Sequence, residues 1–412
     1  MEAIIEKCCG LDVHQATVVA SVLVGSGETR VRQQVRKFRT VGRELRALRD
    51  WLTELGITHV GMESTGVYWV PVFRALEGGF ELIVGNAQHM KNVPGRKTDV
   101  KDSEWIAHLV RCGLIRPSFV PPPPIRELRE LTRYRRSLMN DQARIRNRVQ
   151  KLLETASIKL ASVASDVFGL SGRAMLRALV DGETDATILA QLAKGTLRRK
   201  IPALVEALEG NFEAHHRFLL GFQLDRLEEI ERAMTSLDEH IDRKLEPYQA
   251  ELELLTKIPG FSRVTAASFI AETGGDMSVF PTAGHLAAWT GIAPGNNETG
   301  GKRRHAGMRK GNVHLVTTMT QAALGATRKK GSYYKDKYWR LKARCGAKRA
   351  MVAIGHKLLI AAYEVLAHRQ PFVDLGDQYL TRRSQTDVTR KLVRRLESLG
   401  FDVALTPREV KQ

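Results

Sequence analysis

The sequence predicts an α/β domain on a mixed sheet, then long helices with coiled-coil spacing, then a mostly helical C-terminal domain. Three observations predict it. From residue 1 to about 118, short apolar runs alternate with segments of helical spacing. Four prolines, Pro121 to Pro124, then stiffen the chain. Beyond them apolar residues recur at threes and fours over long stretches.

Ile4–Asp12, Ala16–Val24 and Val31–Phe38 read as three strands joined by tight turns, one of them Gly25-Ser26-Gly27. Leu45, Leu48 and Leu52 predict a helix over Gly42–Leu55. A strand near His59–Met62, a helix near Val67–Leu76, a strand near Phe80–Val84 and a helix from Asp99 follow. Strands first and helix–strand alternation afterwards imply a mixed sheet covered by helices. A long helix runs from Ile125 to about Ala156, with Leu138, Ile145, Val149 and Leu152 in its stripe. A second runs from Phe218 to Leu255 along Leu220, Leu224, Leu227, Ile230, Met234, Leu237, Ile241, Leu245, Tyr248, Leu252 and Leu255. Such heptad-like spacing predicts a coiled coil within or between chains. Residues 160–215 read as short helices and loops without chemistry. The expected domains are 1–118, 119–256, 257–380 and a basic tail, 381–412, with an amphipathic helix over Val388–Leu399.

With 412 residues, 43% of them hydrophobic, the chain can bury two or three cores. Net charge is +19 and the isoelectric point is 9.9, so a polyanion is the expected partner. The charge is uneven: between Gly300 and Ala350 fifteen Lys or Arg stand against the single acid Asp336. Such density suits phosphate contacts, the plain alternative being a solvated face. Cys8, Cys9, Cys112 and Cys345 have no metal-ligand spacing, as expected of a reduced, cytosolic protein. No signal-peptide pattern opens the sequence, and no apolar run approaches membrane-spanning length.

Two stretches carry candidate chemistry. In Lys97-Thr98-Asp99-Val100-Lys101-Asp102, Thr98 reads as an N-cap, and the spacing of three would put Asp99 and Asp102 on one helical face. Two acids at a helix start also serve the helix dipole with no further role. Asp12 and Glu63, each ending an apolar run, add two carboxylates at strand ends. Acids gathered in this way suit Mg²⁺, which takes oxygen ligands and keeps water and phosphate in its shell. Two such ions can clamp the oxygens of a phosphoryl transfer. His14 fits a structural role better, because Mg²⁺ favours oxygen. The second stretch, Gly291–Asn312, is a long Gly-rich loop in which glycines allow close approach to phosphate. Its Lys302, Arg303, Arg304, Arg309 and Lys310 can hold phosphates, His305 reads as a general acid or base or, better, as a further phosphate contact, and Thr299 offers the hydroxyl. It is not a Walker loop. Ile258-Pro259-Gly260-Phe261-Ser262-Arg263 reads either as a helix-hairpin-helix phosphate site through Gly260 and Arg263 or as a plain turn between packed helices.

These motifs together resemble the DEDD transposases of the IS one-ten insertion sequences. The resemblance rests on Gly10-Leu11-Asp12-Val13-His14, Glu63-Ser64-Thr65-Gly66-Val67-Tyr68-Trp69 and Lys97–Asp102. It continues in Ile258-Pro259-Gly260, Leu286–Glu298 and Lys310-Gly311-Asn312, in the family's order and over nearly the whole chain. It implies a RuvC-like (RNase H-like) N-terminal domain with Asp12, Glu63, Asp99 and Asp102 as catalytic Mg²⁺ ligands. It implies a C-terminal transposase domain whose hydroxyl attacks DNA to form a covalent intermediate. The implied partners are target and donor DNA and a structured bridge RNA. Dimers would join into a tetramer, with sites composed from two chains, in the prokaryotic cytoplasm and nucleoid. One departure stands out: the family's serine falls on Thr299. Either Thr299 is the nucleophile, or another hydroxyl serves, or this copy is slowed by the extra methyl. The competing expectations are a Holliday-junction-type nuclease using water, and a non-catalytic basic scaffold.

Overall fold

A computed structural model describes residues 4–25, 31–91, 93, 101–295, 298–303, 307–308 and 310–405. The chain divides into two compact units, Met1–Val120 and Pro121–Gln412.

Among the described residues, the first unit is built on five strands: β1 (Lys7–Val13), β2 (Thr17–Val24), β3 (Arg32–Arg39), β4 (His59–Glu63) and β5 (Glu81–Gly85). Their order is β3-β2-β1-β4-β5. The first three pair antiparallel, and β1, β4 and β5 run parallel. This mixed arrangement is RNase H-like. Helices cover both faces, as parallel strands require. α1 (Gly42–Glu54) and α2 (Trp69–Leu76) bury Leu45, Leu48, Leu52, Val72 and Phe73 against Leu11, Val18, Val60 and Met62. After the short α3 (Ala87–Lys91), α4 (Asp102–Arg111) packs Trp105, Ile106 and Val110 against the opposite face at Cys8 and Leu23. β3 presents Arg32, Gln33, Arg36 and Lys37 to solvent, and charge on an edge strand discourages pairing with another chain.

The helix expected from Asp99 begins instead at Asp102. Lys101 is extended (φ −61°, ψ 147°), and its carbonyl accepts the first helical bond, from Trp105. Lys101 thus holds the N-cap position of this helix. Thr98 and Asp99 themselves lie outside the described residues.

In the second unit, α5 (Pro123–Thr155) starts with proline in its first turn, where no N–H is missed. α6 (Leu160–Val163), α7 (Leu170–Asp181), α8 (Ala186–Gln191) and α9 (Ile201–Leu208) wrap the far end of α5. They form a core with Ile145, Val149 and Leu153 and with Leu220, Leu224 and Leu227 of α10 (Ala214–Leu245). The stretch 160–215 thus builds a helical core. α5 and α10 lie antiparallel within the chain, linked at Glu127–Lys244, Arg135–Asp238 and Gln142–Glu231. The second long helix was expected to reach Leu255, but it ends at Leu245. Pro247 lacks an N–H and clashes with the preceding turn, so Glu246–Tyr248 forms a 3-10 turn before α11 (Gln249–Thr256).

The remainder comprises α12 (Arg263–Thr273), α13 (Ala283–Thr290), a hairpin of β6 (Glu298–Thr299) and β7 (Lys302–Arg303), α14 (Val313–Ala326), α15 (Tyr333–Cys345), α16 (Ala347–His368) and α17 (Tyr379–Glu397). α17 starts nine residues before the tail helix expected from Val388. Contrary to the sequence expectation, α16 is long and apolar enough to cross a membrane by length and composition. It buries Ile354, Leu358, Leu359 and Ala362 within this unit, as a core helix does.

Candidate active site: three acids in one cleft and a hydroxyl on a hairpin

Strand register brings the first two acids together. Leu11 lies opposite Met62 in the parallel β1–β4 pair, so Asp12 and Glu63 are the next residues on adjacent strands. Side chains alternate between faces along a strand. Leu11 and Met62 enter the core under α1 and α2; Asp12 and Glu63 therefore share the face that carries α4. Two residues before each acid stands a glycine on that same face. A Cβ on Gly10 would lie 2.2 Å from the Ala107 nitrogen and 2.3 Å from the Ser103 carbonyl, and one on Gly61 would lie 2.2 Å from Val110 Cγ2. These glycines let α4 press directly on the sheet, which carries Asp102, the first residue of α4, to the acids at the strand ends.

Asp12, Glu63 and Asp102 accordingly line one cavity of about 160 Å³, together with His14, Thr65, Met90 and Trp105. His14 Nε2 is 3.2 Å from Asp12 Oδ2. Thr65 Oγ1 donates to Glu63 Oε1. The donor set is hard oxygen, as Mg²⁺ or a similar divalent ion requires. Asp99 lies outside the described residues.

The other candidate residues sit in the second unit. Thr299 is exposed and ends β6, paired with Lys302 of β7. Gly300 (φ +58°) and Gly301 (φ +76°) form the turn between them, both in the left-handed region that a two-residue hairpin needs. What reads as a structureless loop thus contains a hairpin, and Gly-Gly between two dipeptides was its signal. Lys302 and Lys310 are exposed and Arg303 lies in β7. Arg304, His305 and Arg309 lie outside the described residues.

Gly260 (φ +85°) faces backbone: a Cβ there would meet the Ala322 carbonyl at 2.0 Å. Its glycine thus serves close packing of this turn on α14. Ser262 caps α12, and Arg263 Nε donates to Asp242 at 2.8 Å. This arrangement favours the plain-turn reading of the segment.

Sequence reasoning missed a buried ionic network at the C-terminal end of the Gly-rich loop. Glu272 on α12, 2% exposed, accepts from Arg133 Nε (2.7 Å) and Nη2 (2.8 Å) and from Asn312 Nδ2 (2.7 Å). Arg129 lies 3.4 Å from the same carboxylate and donates to the Ala271 and Glu272 carbonyls. Burial pushes the Glu272 carboxyl up, but the bonds and charges of Arg133, Arg129 and Asn312 outweigh it and leave the group below its ordinary range. Burial pulls Arg129 down to about 10, against the opposing charge of Glu272. Asn312 also caps α14 by accepting from His314 N and Leu315 N, and its own N–H donates to the Trp289 carbonyl. Gly311 leaves no room for a Cβ beside the Thr290 carbonyl, 2.4 Å away. The two ends of the loop are thereby pinned together.

Comparison with known proteins agrees with both halves. Residues 9–158 match a family described as transposase, of the DEDD IS110 type, and residues 252–339 match the family described as transposase IS116/IS110/IS902, together more than half of the chain. The chain is 28% identical over 262 residues to the "Insertion element IS116 uncharacterized 44.8 kDa protein" of Streptomyces clavuligerus, covering 57% of this chain and 63% of that one. It is 26% identical over 285 residues to a "Probable family 20 transposase" of Pseudomonas aeruginosa, covering 68% and 75%. It is 27% identical over 249 residues to the "Insertion element IS900 uncharacterized 42 kDa protein" of Mycobacterium paratuberculosis, covering 53% and 61%. The first and third relatives are thus spanned over less than two thirds of their length. A DEDD-type domain implies dependence on a divalent metal, and the oxygen-lined cleft fits one. On these matches and this fold, the chain belongs to the IS110/IS116/IS902 family of transposases.

Proposed function

We propose that this protein is the transposase of an insertion sequence, a recombinase that cuts and rejoins DNA through a covalent hydroxyl–DNA intermediate. The observation that carries this reading is the convergence of Asp12, Glu63 and Asp102, far apart in sequence, on one cleft. Asp99 is the fourth acid of the set, and Mg²⁺ is the ion they hold. A bound divalent ion neutralises the repulsion among the carboxylates and polarises a phosphate oxygen.

Thr299 supplies the nucleophile. Its Oγ1 forms a bond to phosphorus, the bond from phosphorus to one sugar oxygen breaks, and that oxygen takes up a proton. Attack by a sugar hydroxyl of another strand reverses the step and frees Thr299, so the phosphoester energy is conserved and no nucleotide cofactor is consumed. Lys302, Arg303, Arg304, Arg309 and Lys310 hold phosphates and stabilise the charge that builds on phosphorus. Gly260 and Arg263 are weaker candidates for DNA contact, since each already has a packing or pairing role. A structured bridge RNA selects target and donor DNA by base pairing. Two dimers, assembled as a tetramer, complete each site with acids from one chain and the hydroxyl from another, in the cytoplasm at the nucleoid.

The deciding experiment traps the intermediate on a nicked DNA substrate and locates the adduct by mass spectrometry. The expected adduct is on Thr299. Strand cleavage without joining in Thr299→Ala would point to water as nucleophile. Unimpaired activity in Asp102→Asn would remove the acid cleft from the reaction.

A further inference from the structure

Beyond the hairpin, the most basic part of the second unit carries an aromatic residue that nothing in the core uses. On α15, Tyr334 points inward, 3% exposed and stacked on Phe372. Trp339 on the same helix is 54% exposed. Its ring contacts are local: Lys342 Nζ lies 4.3 Å from the indole centroid, and the Tyr338 ring meets it edge-on. Lys335 and Lys342, four residues before and three after, share the face of Trp339. Asp336, the acid nearest that face, is bound by Arg340 at 3.0 Å. Arg344 and Lys348 extend the positive charge. The match to the family's C-terminal region ends at Trp339, so Lys342, Arg344 and Lys348 lie past it.

An indole left in water among cations is suited to a polyanion that carries flat rings. Stacking of bases on aromatic side chains is tolerant of sequence, and the flanking ammonium groups meet the phosphates on either side. In an intact duplex both faces of each base are already covered by neighbouring bases, so the partner must present unpaired nucleotides. We propose that Trp339, with Lys335 and Lys342, forms a binding subsite for unpaired nucleotides of DNA or RNA, the indole stacking on one base.

The test measures binding by the full-length protein with metal chelated, so that no strand is cut and the result is independent of the acids and of Thr299. The probes are a short single-stranded DNA, the same sequence as RNA, and the DNA duplex. Trp339→Ala weakens binding of single strands by about ten-fold or more, the scale of one lost stack, and leaves the duplex unchanged. Trp339→Phe restores most of the loss. Trp339→Ala keeps the slope of affinity against salt, whereas Lys335→Gln with Lys342→Gln lowers it. The single strand that shows the loss, DNA or RNA, names the source of the unpaired nucleotides. Because Trp339 is exposed, the melting temperature should not move. Unchanged single-strand binding in Trp339→Ala, or an equal loss on the duplex, would overturn the proposal; the second outcome would mark a general electrostatic or protein-contact surface.

Discussion

Replacing Glu272 by alanine should be among the most damaging changes in the second unit. The carboxylate is 2% exposed and receives both Arg133 donors and the Asn312 amide, with Arg129 at 3.4 Å. Without it, Arg133 can turn toward water, since its side chain is 37% exposed. Arg129, with a side chain 15% exposed, cannot. Removing one partner of a buried ion pair costs about 3–5 kcal/mol, and the freedom of Arg133 places this case near the lower bound. Asn312 would also lose the bond that fixes the loop end, so strand joining should fall with stability. Urea unfolding followed by circular dichroism gives the cost as a shift in midpoint at constant slope. Glu272→Gln keeps the volume and an acceptor for Asn312 and should cost less than alanine. The pH dependence has a definite sign. The folded carboxyl titrates below its unfolded value, so its contribution is complete above the ordinary carboxylate range and is lost as pH falls through the lower folded value. The parent and Glu272→Gln should therefore converge in stability in acid. A cost for Glu272→Ala below about 1 kcal/mol at neutral pH would refute the reasoning, because it would mean the arginines were never held by this charge.

Gly10→Ala should force α4 off the sheet, costing about 3 kcal/mol or more, and abolish cleavage by moving Asp102; thermal melting and a cleavage assay read both. Mg²⁺ should stabilise the first unit by about 2.7 kcal/mol at a hundred-fold excess over its dissociation constant, and Asp12→Asn should erase that gain in a melting titration. Thr299→Ser should join DNA at least as fast as the parent, since losing the methyl frees the hydroxyl's approach; strand-joining kinetics check this. Burial raises the Cys8 thiol to about 12 and pushes Cys9 up as well, so alkylation of the native protein at pH 8 should spare both and label Cys112 and Cys345, as peptide mapping would reveal.

Much of the molecule was legible in the order of its residues. The apolar runs ending at Asp12 and Glu63 marked strands with acids at their ends, because alternation and burial are local properties of a strand. The leucine spacing of α5 and α10 marked two long helices for the same kind of reason. Pro247 and Gly300-Gly301 were equally local signals, for a helix break and a hairpin turn, and were readable from backbone chemistry alone. That Gly10 and Gly61 matter was not readable, because a glycine in a strand has no meaning until the helix that crosses it is known. The same holds for Glu272: Arg133 and Asn312 stand 139 and 40 residues away, and only the packing of α5, α12 and α14 puts their charges in one dry place. Local propensity decided which segments are strand, helix or turn. The acid cleft and the buried ionic network were decided by register and helix contact, since a carboxylate's surroundings depend on what the rest of the chain brings to it.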